Sequence, residues 1–132
     1  MDRKDVIREA VESYFTGLAT IDFDRIAFAE DIILRAPLAP GGVNHPISGR
    51  GAVEDAWWAP MPGLLGAVTL KGVYFDEELT GAVAIAEVEV LTDPPALLRG
   101  ADEFVINDEG FIVEQENHFD PRDVTYPGCQ DM

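Results

Sequence analysis

The sequence contains little that is basic, sulfur-containing or continuously apolar. Its 132 residues include 9 Lys and Arg against 25 Asp and Glu, and this formal charge of −16 repels phosphate backbones and anionic headgroups. The single cysteine, Cys129, has no partner for an internal disulfide and no neighbouring ligands for zinc. Pro, Gly or a charge interrupts every apolar run before the roughly 20 residues that a membrane span requires. We therefore expect neither nucleic acid nor a membrane among the partners of this protein.

Signals for export, for metal binding and for phosphate binding are also missing. The N-terminal residues do not follow the charged, apolar and small-residue order of a secretory signal, so we expect a cytoplasmic protein. The two histidines have no tight spacing to other ligands, and no glycine-rich phosphate loop is present, so we expect no metal and no cofactor. The length fits one domain over residues 1–132, with residues 121–132 as a C-terminal tail.

The first half of the chain carries helical patterns. Apolar residues recur four apart from Arg3 to Ala19, which predicts a first helix. Thr20 or Asp22 can cap a second, shorter helix that ends near Ala29. A short strand at 31–36, a Pro- and Gly-rich loop at 37–49 and a third helix from Gly51 to Trp58 follow.

The second half of the chain reads as a meander of antiparallel strands. Apolar runs at 68–76, 81–91, 97–107 and 111–120 are separated only by turn residues. Helices followed by strands indicate an α+β fold, with the helices collected on one side of a mixed or antiparallel sheet. A curved sheet folded over helices leaves a pocket that can hold a small molecule.

Five segments carry a resemblance to a known superfamily through their order and spacing. They are residues 14–22, 29–31, 47–53, 108–113 and 119–122. In these segments the chain is similar to the nuclear transport factor 2-like superfamily, and within it to the SnoaL-like and ketosteroid-isomerase-like proteins. The resemblance implies a cone-shaped barrel of a curved, mostly antiparallel sheet wrapped around N-terminal helices. It also implies a deep central cavity and a homodimer packed through the sheet.

Asp102 is the first candidate for chemistry. Alternation along the strand places it on the same sheet face as Phe104 and Ile106. If that face is the core, burial raises the pKa of the carboxyl and keeps it protonated, able to donate a hydrogen bond to a developing oxyanion. The alternative is that Asp102 starts a strand after Arg99-Gly100 and is solvated.

Tyr14 is the second candidate, because it lies on the apolar stripe of the first helix and a buried phenol needs a hydrogen-bond partner. By resemblance, Tyr14 and Asp102 occupy the two oxyanion-hole positions of ketosteroid isomerases. The alternative is an ordinary core tyrosine. The acidic base of those isomerases corresponds to Ala36, before Pro37, and a methyl group cannot accept a proton.

A base must therefore come from elsewhere. His45 lies in the loop over the expected mouth of the pocket, and histidine is the side-chain type most often used as a base near neutral pH. Glu89 shares a strand face with Glu87, and the two carboxylates form either an acid/base pair or a solvated face. We name His45 and Glu89 as candidate bases.

Aromatic and amide side chains complete the predicted pocket. Asn117 and His118 lie on opposite faces of the last strand, and Asn117 shares its face with Val113 and Phe119. Trp57 and Trp58 supply more apolar surface than the third helix needs for packing, so we expect them to line the pocket. The predicted ligand-binding residues are Trp57, Trp58, Phe104, Asn117 and Phe119.

The function predicted from these residues is binding of a small hydrophobic or cyclic ligand in a central cavity. As an enzyme, the protein is expected to be an isomerase or a polyketide-cyclase-type protein that acts through an enolate. The alternative is a non-catalytic ligand-binding or dimeric protein-interaction module, which the alanine at position 36 favours. The sequence leaves the choice between the two open.

Overall fold

The computed structural model describes residues 1–124, in which one long helix packs against a six-stranded sheet. Cys129 and most of the predicted tail lie outside the described residues. The helices and strands are α1 (Arg3–Thr20), β1 (Phe28–Arg35), β2 (Ile47–Ser48), α2 (Arg50–Val53), β3 (Leu65–Phe75), β4 (Gly81–Val90), β5 (Ala96–Ile106) and β6 (Ile112–His118). The first helix, the short helix before Trp58 and the last four strands are thus confirmed close to their predicted bounds.

Helix α1 begins and ends at specific caps. The Asp2 side chain accepts a hydrogen bond from the backbone N–H of Asp5 at 2.9 Å, and Ile21 ends the helix in the left-handed conformation. Close packing requires glycine at position 17, because a Cβ there would lie 2.5 Å from the Ile26 side chain. The residues after α1 can therefore fold back closely against it. Within residues 1–124, no helix is long and apolar enough to cross a membrane.

The predicted second helix is wrong. Only one 3₁₀ turn, Phe23–Arg25, forms after Asp22, and β1 begins at Phe28. The competing partners explain this: Ser13 Oγ accepts from the N–H of Ala27 at 3.0 Å, and the Ala27 carbonyl accepts from the N–H of Ile112 at 2.7 Å. The backbone there is held extended by tertiary partners that a local helical pattern does not reveal.

The sheet is curved and open, with strand order β2-β1-β6-β5-β4-β3. β1 pairs parallel with β6, and every other neighbouring pair is antiparallel. Helix α1 packs against the sheet, and between them lies the main core. The curved, mostly antiparallel sheet of the predicted α+β fold is confirmed, and it packs on one N-terminal helix without closing into a barrel.

The two faces of the sheet differ in composition. The face toward α1, called the concave face here, carries buried Ala82, Ala84 and Ala86 of β4. The opposite face, called the convex face, carries Ile85 and Glu87 of the same strand. Strand alternation therefore buries the alanines of β4 on the concave face and leaves its carboxylates on the convex face.

Helix α2 changes geometry before it ends. Its chain continues through Glu54–Trp58 in π-helical geometry, with Ala59 N donating to Glu54 O at 3.0 Å. Such π segments occur frequently at functional sites. Here the segment buries both Trp57 and Trp58 against the core.

Candidate functional site

A cavity of about 70 Å³ lies between α1, the π-helical segment and the concave face of β4, β5 and β6. Most of its wall is apolar, formed by Leu18, Leu38, Trp57, Met61, Leu64, Leu65, Ala86, Val88, Val90, Leu98, Gly100 and Phe119. Three polar side chains complete the lining, and they are Tyr14, Asp102 and Asn117. The structure thus brings the two predicted oxyanion residues to one cavity, together with the predicted amide.

Tyr14 enters the cavity from α1. Only 4% of its surface is exposed, and its ring stacks on Trp57 at 6.0 Å and meets Phe104 edge-on at 5.6 Å. Burial raises the pKa of Tyr14 well above its usual value, and the nearby Asp102 charge adds to the rise. Hydrogen bonding from the side chains of Gln115 and Asn117 opposes it. Tyr14 therefore stays a neutral phenol at physiological pH, able to donate its proton in a hydrogen bond.

Asp102 enters from β5, where its register neighbours are Ala84 of β4 and Asn117 of β6. Its side chain is partly accessible, but it lines the cavity instead of the convex face. Desolvation in this apolar setting raises the pKa of the Asp102 carboxyl to about 7. A substantial fraction of Asp102 is thus protonated at neutral pH, where an ordinary carboxyl is fully ionised.

Asn117 and Gln115 form a buried amide pair on β6. Their side chains are 4% and 2% exposed, and Gln115 Nε2 donates to Asn117 Oδ1 at 3.0 Å. Gln115 was not among the residues predicted from the sequence. Its alternation with Asn117 was a usable signal, since both occupy the strand positions that face the core.

The predicted ligand-binding residues separate into two groups. Trp57, Asn117 and Phe119 line the cavity. Phe104 lies behind Tyr14 in the core, and Trp58 packs against Phe23 with ring centroids 5.6 Å apart. Phe104 and Trp58 support the cavity wall without forming it.

Neither candidate base reaches the cavity. His45 is exposed, and its Nδ1 lies 2.9 Å from the carbonyl oxygen of Gly41. Glu89 projects from the convex face, where its Oε1 accepts from the N–H of Ala67 at 3.4 Å. Ala36 is buried at the end of β1. Among the described cavity-lining residues, Asp102 is therefore the only carboxyl group, and there is no imidazole.

The other histidine of the chain, His118, lies on the convex face. His118 contacts Glu103 at 2.8 Å and Glu116 at 3.5 Å, away from the cavity. The described part of the chain contains no group of three or more His, Cys, Asp or Glu side chains that could hold a metal ion.

Comparison with known proteins identifies relatives through the fold alone. No protein-family model matches the chain, and no curated protein matches it in sequence. Rv0760c from Mycobacterium tuberculosis, solved with estradiol-17beta-hemisuccinate, superposes with a TM-score of 0.76 at 17% identity over 92% of this chain and 98% of its own. A Δ5-3-ketosteroid isomerase from Mycobacterium sp. gives 0.74 at 18% identity, over 91% and 97% of the two chains.

A third solved structure extends the range of activities found on this fold. SalBIII, an epoxide hydrolase/cyclase-like enzyme with a role in pyran ring formation in salinomycin, gives a TM-score of 0.71 at 18% identity over 92% of each chain. Identities this low show a shared fold and not a shared activity. The resemblance predicted from the sequence is confirmed at that level: the protein has the nuclear transport factor 2-like fold.

Proposed function

We propose that this protein binds a small cyclic, mostly apolar molecule through a carbonyl or enol oxygen. Tyr14 and protonated Asp102 donate hydrogen bonds to that oxygen, and the apolar wall covers the rest of the ligand. The observation that carries the proposal is the pairing of these two acids in one apolar cavity, with burial raising the pKa of Asp102 to about 7. Donors in such a setting are stronger than in water because the surroundings screen them less.

The size of the cavity supports a compact ligand. Its volume of about 70 Å³ is small beside the ordinary ligand sites of roughly 300–1,000 Å³. The neighbours on this fold include a steroid-bound protein, a steroid isomerase and a cyclase-like enzyme, which all handle cyclic compounds by their names. For this chain we infer a ligand built on one ring.

Catalysis through an enolate is the second candidate, and Asp102 is the observation that favours it. A general acid or base works best with a pKa near the working pH, and Asp102 meets this condition. Tyr14 would hold the enolate oxygen while Asp102 moves the proton between two carbon atoms. His45 and Glu89 have no part in this mechanism, because both lie outside the cavity.

Binding without turnover is the first candidate because the usual base position is Ala36. A site with two donors and no separate base recognises an oxygen without needing to abstract a proton. The distinction is testable, since Asp102→Asn keeps a hydrogen-bond donor but cannot transfer a proton.

The experiment uses cyclohex-3-enone, a one-ring ketone whose isomerisation to the conjugated enone is followed by ultraviolet absorbance. Thermal shift measures binding in the wild type, Tyr14→Phe and Asp102→Asn, with Tyr74→Phe and Glu103→Gln as matched exposed controls. We expect Tyr14→Phe to weaken binding roughly ten-fold and the controls to leave it unchanged. Equal binding by Tyr14→Phe and wild type would contradict the oxygen-binding role.

Turnover separates the two candidates in the same experiment. If the protein is an isomerase, Asp102→Asn keeps measurable binding but loses about 100-fold or more in rate. If the wild type is stabilised and forms no conjugated enone, the binding function stands alone.

We further propose that two copies pair through the convex face. This face exposes apolar side chains that a solvated sheet does not need, among them Tyr74 at 63%, Ile85 at 39% and Val105 at 38% exposure. Analytical ultracentrifugation of wild type and Ile85→Glu tests this pairing, and a wild-type monomer would contradict it. A cytoplasmic location stays a prediction from the sequence.

A further inference from the structure

Gln115 is a buried polar side chain that stability alone does not explain. It lies on β6 with register neighbours Phe104 and Leu34, both buried and apolar. Its Nε2 donates to Asn117, but its Oε1 has no hydrogen-bond partner among the described residues. An unpartnered buried oxygen is destabilising, so an apolar side chain of similar size would suit this position better.

The orientation of the Asn117 amide follows from its bond to Gln115. The Gln115 N–H occupies Asn117 Oδ1, which leaves Asn117 Nδ2 as the group that can donate elsewhere. Tyr14 and Asn117 line the same cavity, and hydrogen bonding from the two amides lowers the pKa of Tyr14 against the effect of burial. Asn117 Nδ2 is thus available as a donor to the Tyr14 oxygen, which would leave the Tyr14 hydrogen for another partner.

We propose that Gln115 is a positioning residue whose buried amide fixes Asn117 and, with it, directs the Tyr14 hydroxyl hydrogen into the cavity. Gln115 itself does not line the cavity, so it acts through its two neighbours. The arrangement is a chain of donors that runs from Gln115 through Asn117 to Tyr14 and ends at the ligand.

The chain of donors also defines the ligand, and this step rests on the proposed function. A Tyr14 hydroxyl whose oxygen already accepts a hydrogen bond from an amide uses its hydrogen to donate to the ligand. The ligand atom at this point must therefore be a hydrogen-bond acceptor. Asp102 in its protonated form presents a second donor to the same cavity. We therefore expect the site to select a ketone, enolate or phenolate oxygen over a hydroxyl group of equal size.

The first test examines the amide chain without any ligand. In protein labelled with ¹⁵N-asparagine, the Asn117 side-chain amide protons are identified by their loss in Asn117→Leu. We expect these protons to be protected from solvent exchange in the wild type, and about ten-fold less protected in Gln115→Met. Glu114→Met is the control, because it places the same side chain on the neighbouring convex position and should leave the exchange unchanged.

The second test measures selectivity. Affinities for cyclohex-2-enone and cyclohex-2-enol are compared, since the two differ only in ketone and hydroxyl. We expect wild type and Glu114→Met to prefer the ketone by roughly ten-fold and Gln115→Met to lose that preference.

The outcomes separate the failure of this inference from that of the proposed function. Unchanged Asn117 exchange in Gln115→Met overturns the positioning role, whatever the ligand data show. Preserved ketone preference in Gln115→Met overturns it as well. Absence of binding by both compounds in the wild type contradicts the proposed function, while the exchange data still decide the role of Gln115.

Discussion

The two faces of the sheet place carboxyl side chains in opposite surroundings. Asp102 and Glu103 are consecutive in β5, yet Asp102 lines the cavity and Glu103 is exposed on the convex face beside His118. On the concave face, desolvation raises the pKa of Asp102. On the convex face, the hydrogen bond from Lys71 is the main cause that lowers the pKa of Glu87.

This difference shows that the ionisation of a carboxyl side chain in this sheet depends on which face of the sheet carries it. The chain carries 25 acidic residues, and most of them are solvated. Glu87 of β4 is held ionised by a lysine on the convex face, whereas apolar walls on the concave face raise the pKa of Asp102 of β5. Asp102 therefore differs from Glu87 in having apolar walls where Glu87 has a cationic partner.

The largest expected effect comes from placing a second acid on the concave face. Ala84 is fully buried beside Asp102, and Ala84→Glu would bury a charge without a partner. We expect a loss of more than about 5 kcal/mol in the free energy of unfolding, and so a mostly unfolded protein. Circular dichroism with urea titration measures it.

Ile85→Glu is the matched control for this substitution, one residue along the same strand on the convex face. Measured on the monomer, it should change the free energy of unfolding by less than about 1 kcal/mol, because the new carboxylate is solvated there. Similar losses in the two variants would mean that the faces do not differ as described.

A smaller effect is expected from Asp102→Asn and depends on pH. Because the pKa of Asp102 is raised in the folded protein, the folded state binds this proton more tightly than the unfolded chain. The contribution of Asp102 is therefore fully present below its unfolded pKa and is lost as pH rises to about 7. From about pH 5 to about pH 8, Asp102→Asn should gain roughly 2–3 kcal/mol relative to wild type.

Chemical denaturation of both proteins across this pH range gives that difference directly. Glu103→Gln provides the convex-face reference, since it removes a neighbouring carboxylate that has no apolar surroundings. A constant difference between Asp102→Asn and wild type would show that Asp102 is solvated in the folded protein.

The smallest effect is expected on the convex face. Glu87 bonds Lys71 at 2.5 Å and lies 3.8 Å from Arg99, both partly exposed pairs. Glu87→Gln should cost little stability, and less still at high salt, because solvent screens exposed ion pairs. Thermal unfolding at low and high salt checks this, and a loss as large as that of Ala84→Glu would contradict it.

Much of the fold and part of the site follow from the sequence. The period-four stripe of α1 and the alternation of the last strands predicted both elements, and they also placed Tyr14 and Asp102 toward the core. Local patterns could not show that Ser13 and Ile112 hold Ala27 extended in place of a second helix. His45 and Glu89 lie outside the cavity. The sequence shows neither the course of the loop that carries His45 nor which face of β4 turns toward the core.

A register shift explains another difference. Between Val105 and Ile106 the pairing of β5 with β6 slips, so Ile112 enters the core while Val113 does not share the face of Asn117. Strict alternation cannot anticipate such a bulge. The same alternation does hold from Gln115 to Asn117, where it could have identified the second amide.

The measurement that tests the central claim most directly is the affinity for cyclohex-2-enone as a function of pH in wild type and Asp102→Asn. If protonated Asp102 donates to the ligand oxygen, wild-type affinity is constant below about pH 6 and falls towards ten-fold per pH unit above about pH 7. Asp102→Asn, which keeps its donor at every pH, shows no such fall. Affinity that is independent of pH in the wild type, or that falls equally in both proteins, would contradict the claim that Asp102 holds the ligand.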